Sequence, residues 1–378
     1  MNKGAQAMTY VTVDKVANLF PGCIPVLYSN IDYQRTEEEK VNYKFIICNY
    51  PHKSSSIHLL SPFSNKSNEE IKQESFLRNA KCMIDISGYQ LGSSWGTKRA
   101  VSYVYMIFLA KHFHIPLYLM PQSFGPFDFK GKGSNIVNLL IRHYLKYPKY
   151  IMAREQEGFE LLRNKYNLKN VIRTQDLVLE ARDINLNNIF VSLPSISDID
   201  IKQNSIAIIP NSKNNQYGDE KAVHKFYRSI VDELINSGKN IYLMYHSNDD
   251  YEICDIIKKS FYPDNASIVV ITQELDCISF SSIISKFDFV VASRYHSIVH
   301  AYKEAVPAII LGWAIKYREL AICFDQQKYC FDIRDALKTE KVLDALSHML
   351  SHFEEESINI SLKINVIQKS SVFDYIRN

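Results

Sequence analysis

The sequence predicts an α/β protein of two doubly wound, Rossmann-like domains, and three observations carry that prediction. Short β-branched and aromatic runs alternate with helical patterns from one end to the other, as in parallel sheets covered by helices. The alternation stops over 184–204, "INLNNIFVSLPSISDIDIKQN", and then restarts, so one βα series becomes two. At 378 residues and 46% hydrophobic, the chain is long enough for two cores rather than one. The expected division is an N-terminal domain over 1–188, a C-terminal domain over 189–355, and a terminal helix over 356–378 that packs back on the first domain.

The opening, "NKGAQAMTYVTVDKVANLF", reads as a turn leading into a helix with no strand ahead of it. A doubly wound domain usually places its first strand in mid-sheet, so the N-terminal domain is expected either to lack that strand or to be built differently. The strands that follow are "PVLYS" from Pro25, "KFIICNY" from Lys44, "CMIDIS" from Cys82, "IPLYLM" from Ile115 and "KYIMA" from Lys149. Helical patterns over Asn68–Ala80, Lys98–His112 and Glu155–Tyr166 separate several of them. Past the connector come "SIAIIP", helix Asp219–Ser237, "NIYLMYH", helix Tyr251–Ser260, "SIVVIT" and helix Asp276–Lys286. "FDFVVAS", helix His296–Glu304 and "PAIILGW" complete the series.

Composition excludes several classes. A net charge of +3, without blocks of like charge, argues against a nucleic-acid arm but leaves room for a local cationic pocket. The seven cysteines are scattered and contain no C-x-x-C, which fits neither a zinc site nor a disulfide framework. Free thiols in a reducing cytoplasm are the expectation, with no metal and no cofactor. The first residues lack the apolar core of a secretory signal. The longest apolar stretch, "AVPAIILGWAI", is far shorter than the roughly 20 residues that span a bilayer. The expected location is therefore the cytoplasm, in solution or peripheral to the inner face of the membrane.

Ligands of open α/β sheets bind outside the carboxyl ends of the strands, so the residues at those exits are the informative ones. "IPLYLM" exits into "PQSFGPF" with Gln122 and Ser123, and "KYIMA" exits into Arg154 at a helix entry. "FDFVVAS" exits into "RYHS" with Arg294 and His296, and "PAIILGW" into Lys316, Tyr317 and Arg318. Cations at three exits, two of them at helix N-termini, suit a polyanion clamped by guanidinium groups. Plainer readings stay open at each position. Arg154 pairs with Glu155 or Glu157, His296 is a satisfied structural histidine, Lys316 and Arg318 lie on a solvated face, and Trp313 packs. "DISGYQLGSSWG" (Asp85–Gly96) reads as a binding loop or a surface turn, matching neither a dinucleotide fingerprint nor a P-loop. In "MYHSNDD", His246 and its carboxylates read as a helix cap formed by Asn248 or Asp249 more readily than as a metal site.

"NKGAQAMT", "MPQSFGPF", "AREQEGFELL", the Asp of "TQDLVLEA" and "SRYHSIVHAYKEAVPAIILGWAIKYREL" together resemble the polysaccharide pyruvyl transferase family, in order and spacing, from the first residues to about Leu320. The resemblance implies a two-lobed fold of the GT-B type with the active site in the cleft between domains, the N-terminal one on the acceptor side and the C-terminal one on the donor side. It implies transfer of a pyruvyl group from phosphoenolpyruvate to a sugar hydroxyl pair of a surface polysaccharide precursor, as in exopolysaccharide, capsule or cell-envelope synthesis. The donor is a co-substrate, the acceptor is free or lipid-linked, and a homo-oligomer is compatible with the sequence. Carried over, Arg154, Arg294 and Lys316 hold the phosphate and carboxylate, and His296 is the general acid, an imidazole that gives and regains a proton near neutrality. Gln122, Ser123 and Tyr317 orient donor or acceptor; Asp176 positions a cation or the acceptor, or caps local structure. Two other functions fit the same features: a GT-B glycosyltransferase using a nucleotide sugar, or a non-catalytic polysaccharide-binding member.

Overall fold

The structure is a computed structural model that describes residues 2–50, 66–131, 133–216, 220–336 and 340–377. Its first helix, Lys3–Leu19, starts at the opening block. Strands β1 (Val26–Tyr28) and β2 (Ile46–Cys48) then pair in parallel. Strands β3 (Met83–Asp85), β4 (Leu117–Gln122), β5 (Tyr150–Ala153) and β6 (Val171–Arg173) form a second parallel sheet in chain order. All six residues of β4 are buried, so the strand carries an apolar run up to the polar Gln122 rather than alternation. Helix Asn68–Asn79 begins with a capping box between Ser67 and Glu70. Leu77 from that helix, Tyr103 and Ile107 from helix Gly96–His112, and Ile141 from helix Ser134–Tyr144 share one core with Leu117, Leu119 and Ile151. The helix expected over Glu155–Tyr166 starts at Gln156 and loosens into a π turn at Leu161–Lys165.

The restarted alternation yields one six-stranded sheet. Its strands are β7 (Ser205–Ile209), β8 (Asn240–Leu243), β9 (Ile268–Val270), β10 (Phe289–Ala292), β11 (Ala308–Gly312) and β12 (Cys330–Asp332). They lie in the order β12-β11-β10-β7-β8-β9, every neighbouring pair parallel. Counted from β7, this is the 3-2-1-4-5-6 order of the dinucleotide-type doubly wound fold. β7, β10 and β11 are buried throughout. On one side Ile206, Ile208, Val291 and Ile309 meet Phe226 and Ile230 of helix Glu220–Asn236 and Leu346 and Met349 of helix Glu340–Ile367. The helix expected from Asp219 is observed from Glu220, Asp219 itself lying outside the described residues. The terminal helix expected from 356 begins much earlier, at Glu340.

The chain divides into two compact units. The N-terminal unit comprises Met8–Leu177, Asp183–Pro194 and Ser371–Asn378; the C-terminal unit comprises Met1–Ala7, Val178–Arg182 and Ser195–Ser370. The partition differs from a cut at 188 because the first turn of helix Lys3–Leu19 belongs with the C-terminal unit. There Gln6 Oε1 accepts from the Cys277 amide at 2.8 Å. Of the terminal segment, only the last residues join the N-terminal unit, where Tyr375 packs edge-on against Tyr150 at 5.0 Å. All seven cysteines are free, and burial pushes the Cys82 and Cys330 thiols up to about 11. No helix among the described residues is long and apolar enough to cross a membrane.

Candidate active site

In the C-terminal sheet the chain winds one way from β7 to β9 and the other way from β10 to β12, which opens a crevice at the carboxyl ends of β7 and β10. β10 runs directly into Ser293, Arg294, Tyr295 and His296, so the motif stands at that switch point. Its base is fixed by hydrogen bonds. The Ser293 carbonyl accepts from Asn211 Nδ2 at 3.1 Å and from Tyr317 Oη at 3.0 Å. The Ser293 hydroxyl meets Tyr227 Oη at 2.9 Å and accepts from Asn214 Nδ2 at 3.1 Å.

Arg294 is the N-cap residue of helix Tyr295–Lys303. A cation is disfavoured there by the helix dipole, and a buried carboxylate offsets the mismatch. Arg294 Nε and Nη2 donate to the two oxygens of Asp250 at 2.9 and 2.6 Å, a bidentate pair. Asp250 is 0% exposed and also accepts from the Ser212 and Ser247 amides. The expected cap in "MYHSNDD" therefore forms through Ser247 and Asp250, not through Asn248 or Asp249.

His296 follows on the first helical turn, edge-on to Tyr295 with ring centroids 5.3 Å apart. The backbone of Gly4 comes against its ring so closely that a Cβ there would stand 2.1 Å from His296 Cγ. Gly4→Ala is therefore expected to displace the imidazole and to cost about 1–3 kcal/mol by overpacking. Urea unfolding combined with turnover measures both effects. Lys316 enters from the exit of β11, its ammonium lying 5.2 Å from the Tyr295 ring centroid and 5.6 Å from that of Tyr317. Gly312 permits this arrangement, because a Cβ there would meet Tyr317 Cγ at 2.3 Å. Tyr317, read from sequence as orienting a ligand, is buried and orients the Ser293–Arg294 backbone. Arg294 and His296 thus flank Tyr295 at the exit of β10, and Lys316 reaches the same Tyr295 ring from the exit of β11.

Arg154, Ser123, Gln122 and Asp176 assemble in the N-terminal unit, all of them buried. Arg154 donates to Asp176 at 2.6 Å, to the Gly88 carbonyl at 3.0 Å and to Ser123 Oγ at 2.8 Å. Ser123 in turn donates to Glu155 at 2.8 Å. Gln122 Nε2 donates to Asp85 at 3.0 Å, and Tyr103 Oη donates to the same carboxylate at 2.6 Å. The Tyr103 hydroxyl is held well above its ordinary value of 10 by burial and by the Asp85 charge. The "DISGYQLGSSWG" segment supports this network, since the Gly88 carbonyl also accepts the Ser123 amide at 2.8 Å.

Sequence reasoning missed Lys3 and Asp250 as members of the C-terminal cluster, and gave His246 a different role. Lys3 is 1% exposed and donates to the His246 carbonyl at 3.2 Å. The His246 ring is 2% exposed and lies edge-on to Phe280. A small residue after Lys3, in the block "NKG", was the available signal for close approach. Among the described residues, no three His, Cys, Asp or Glu side chains are placed to hold a metal ion.

The model of one family, "Polysaccharide pyruvyl transferase", matches residues 2–314, which includes Lys3, Arg154, Arg294 and His296. The chain belongs to the polysaccharide pyruvyl transferase family. No curated protein matches it at a significant level. Among solved structures, an S. aureus MnaA–UDP co-structure is similar with a TM-score of 0.53 and 11% identity, over 95% of this chain and 88% of that one. A UDP-N-acetylglucosamine 2-epimerase assignment from Listeria monocytogenes is similar with a TM-score of 0.53 and 12% identity, over 96% and 89%. At such identities the likeness is one of fold, and the fold is of the GT-B type with two Rossmann-like domains.

For this pyruvyl transferase family member, His246 sets an acid limb of stability. Burial, then the positive charges of His296, His300, Lys3 and Arg294, hold its pKa well below the ordinary 6.5. The unfolded chain therefore binds a proton near pH 6.5 that the folded chain refuses. The associated stability is present above that pH and is lost as pH falls through it, by up to about 1.4 kcal/mol per pH unit. His246→Gln should flatten this limb in urea titrations run from pH 7.5 downward.

Proposed function

We propose that this protein transfers the pyruvyl group of phosphoenolpyruvate to two hydroxyls of a sugar in a surface polysaccharide precursor, forming a cyclic ketal and releasing phosphate. The observation that carries the reading is the placing of Arg294 and His296 at the switch point of the C-terminal sheet with Lys316 against the Tyr295 ring between them, in a chain of the pyruvyl transferase family. A donor carrying a carboxylate and a phosphate needs fixed cations beside a proton donor, and that set supplies both.

In the proposed reaction Arg294 and Lys316 hold the donor's anionic groups. Arg294 is already oriented by Asp250, so little side-chain freedom is lost when a ligand binds. His296, as imidazolium, gives its proton to the methylene carbon of the enol. The C2 centre that becomes electron-poor accepts the first sugar hydroxyl, whose proton returns to His296. The C2–O bond to phosphate breaks with its electron pair, and the second hydroxyl closes the ring while its proton leaves with phosphate. In the N-terminal unit, the proposed role of Arg154 with Gln122, Ser123 and Asp176 is to orient substrate.

Phosphorus NMR of the protein with phosphoenolpyruvate and a panel of galactosyl, glucosyl and N-acetylmannosaminyl acceptors tests this reading. Acceptor-dependent phosphate release with a new acid-labile ketal supports it. No phosphoenolpyruvate binding, together with consumption of a nucleotide sugar, would replace it with glycosyl transfer.

A further inference from the structure

Two buried polar groups of the C-terminal unit keep hydrogen-bonding capacity unused. Lys3 Nζ, at the first residue of helix Lys3–Leu19, makes one hydrogen bond, to the His246 carbonyl, and otherwise lies over the Tyr245 and Phe280 rings, 5.1 and 5.6 Å from their centroids. No carboxylate lies within ion-pairing distance of it among the described residues, although the side chain is 1% exposed. The acids whose charges reach it are Glu274, Asp250 and Asp276. Asp250 is committed to Arg294, and Asp276 caps helix Cys277–Ile284 by accepting the Ser279 amide at 2.7 Å. Beside Lys3, neither ring nitrogen of His246 has a hydrogen-bond partner among the described residues. Ring faces offset only part of the cost of burying an ammonium that makes one hydrogen bond, the buried imidazole ring makes none, and one oxyanion serves both. The next residue, Gly4, is the one whose backbone touches His296.

We propose that Lys3 and His246 form an oxyanion subsite beside His296, and that this subsite takes the phosphate group of the donor and of the released product. This assignment rests on the reading of the C-terminal unit as the donor side. A compact, rotatable ammonium suits a tetrahedral phosphate, whereas the planar guanidinium of Arg294 suits a carboxylate. The subsite is also coupled to protons. Burial lowers the pKa of Lys3 against the pull of Glu274, Asp250, Asp276 and Cys277, and burial lowers that of His246 with His296, His300, Lys3 and Arg294 adding to the effect. An oxyanion between them reverses both effects, so binding takes up protons.

The test is calorimetric titration of the full-length protein with inorganic phosphate and, separately, with pyruvate. Lys3→Met is expected to bind phosphate roughly 10- to 100-fold more weakly while leaving pyruvate affinity unchanged. Its melting temperature without phosphate should be no lower than that of the wild type, and the upward shift that phosphate gives the wild type should disappear. If Lys3→Met does not fold, the wild type still decides the matter. Its heat of phosphate binding, compared in buffers of different ionisation enthalpy between neutrality and the ordinary lysine pKa, should show net proton uptake. Unchanged phosphate affinity in folded Lys3→Met, a loss confined to pyruvate, or no proton uptake would each overturn the assignment. Lys3-dependent phosphate binding in a protein that forms no ketal would sink the pyruvyl reading and leave the subsite standing. Ketal formation with unchanged phosphate affinity in Lys3→Met would do the reverse.

Discussion

Replacing His296 with alanine is expected to lower kcat for ketal formation about 10²- to 10⁴-fold, the usual contribution of a positioned acid–base group. Its affinity for phosphoenolpyruvate should stay within a few-fold of the wild type. The split follows from the site's division of labour. The cations that would hold the donor, Arg294 and Lys316, keep their supports in the variant, namely the Asp250 carboxylate and the Tyr295 and Tyr317 rings. Only the group that moves a proton is removed. The imidazole's position is over-determined by the Tyr295 edge and the Gly4 backbone, so rescue by a differently shaped base such as glutamate should be poor. Steady-state kinetics beside direct donor titration separates the two quantities. Equal turnover in wild type and His296→Ala would remove His296 from the chemistry.

The largest stability effect is expected at Asp250. Asp250→Ala leaves a mostly buried guanidinium without its counter-charge and strips the Ser212 and Ser247 amides of their acceptor. Breaking a buried pair from one side costs about 3–5 kcal/mol, far more than losing a surface salt bridge. Asp250→Asn retains a carbonyl oxygen for the amides and should cost less, while still weakening donor binding through a misoriented Arg294. Urea unfolding of the two variants distinguishes the charge from the cap. If Asp250→Ala unfolds at the wild-type midpoint, the pair contributes nothing to folding. The role assigned to Arg294 as a preorganised clamp would then lose its basis.

Much of this fold was legible because parallel strands covered on both faces leave apolar runs that periodicity can find, as at β7, β10 and β11. The restart of the alternation after Asn204 marked the second sheet for the same reason. Strand order was not legible, since nothing in "SIAIIP" or "FDFVVAS" says that β7 and β10 lie side by side. The exits from β10 and β11 could be read in sequence, and three of the four residues expected to handle the donor, Arg294, His296 and Lys316, cluster there. Their partners could not. Asp250 lies 44 positions from Arg294, and Lys3 lies 243 positions from His246. Arg154 shows the same limit from the other side. An ion pair with adjacent Glu155 was the alternative suggested by sequence, and those atoms do approach to 3.7 Å. Its short contact is nevertheless with Asp176, at 2.6 Å. Local pattern identifies a residue that can bear charge; the tertiary fold decides which charge it meets.

In the proposed reaction the donor's methylene carbon receives a solvent-derived proton and becomes a methyl group as the sugar is captured. Running the reaction in heavy water with unlabelled phosphoenolpyruvate and an accepted sugar tests it directly, by mass and proton NMR of the product. The expected product is a cyclic ketal whose methyl group carries one deuterium, together with one phosphate released per ketal formed. A pyruvylated product with an unlabelled methyl group, or phosphate released without any ketal, would contradict it.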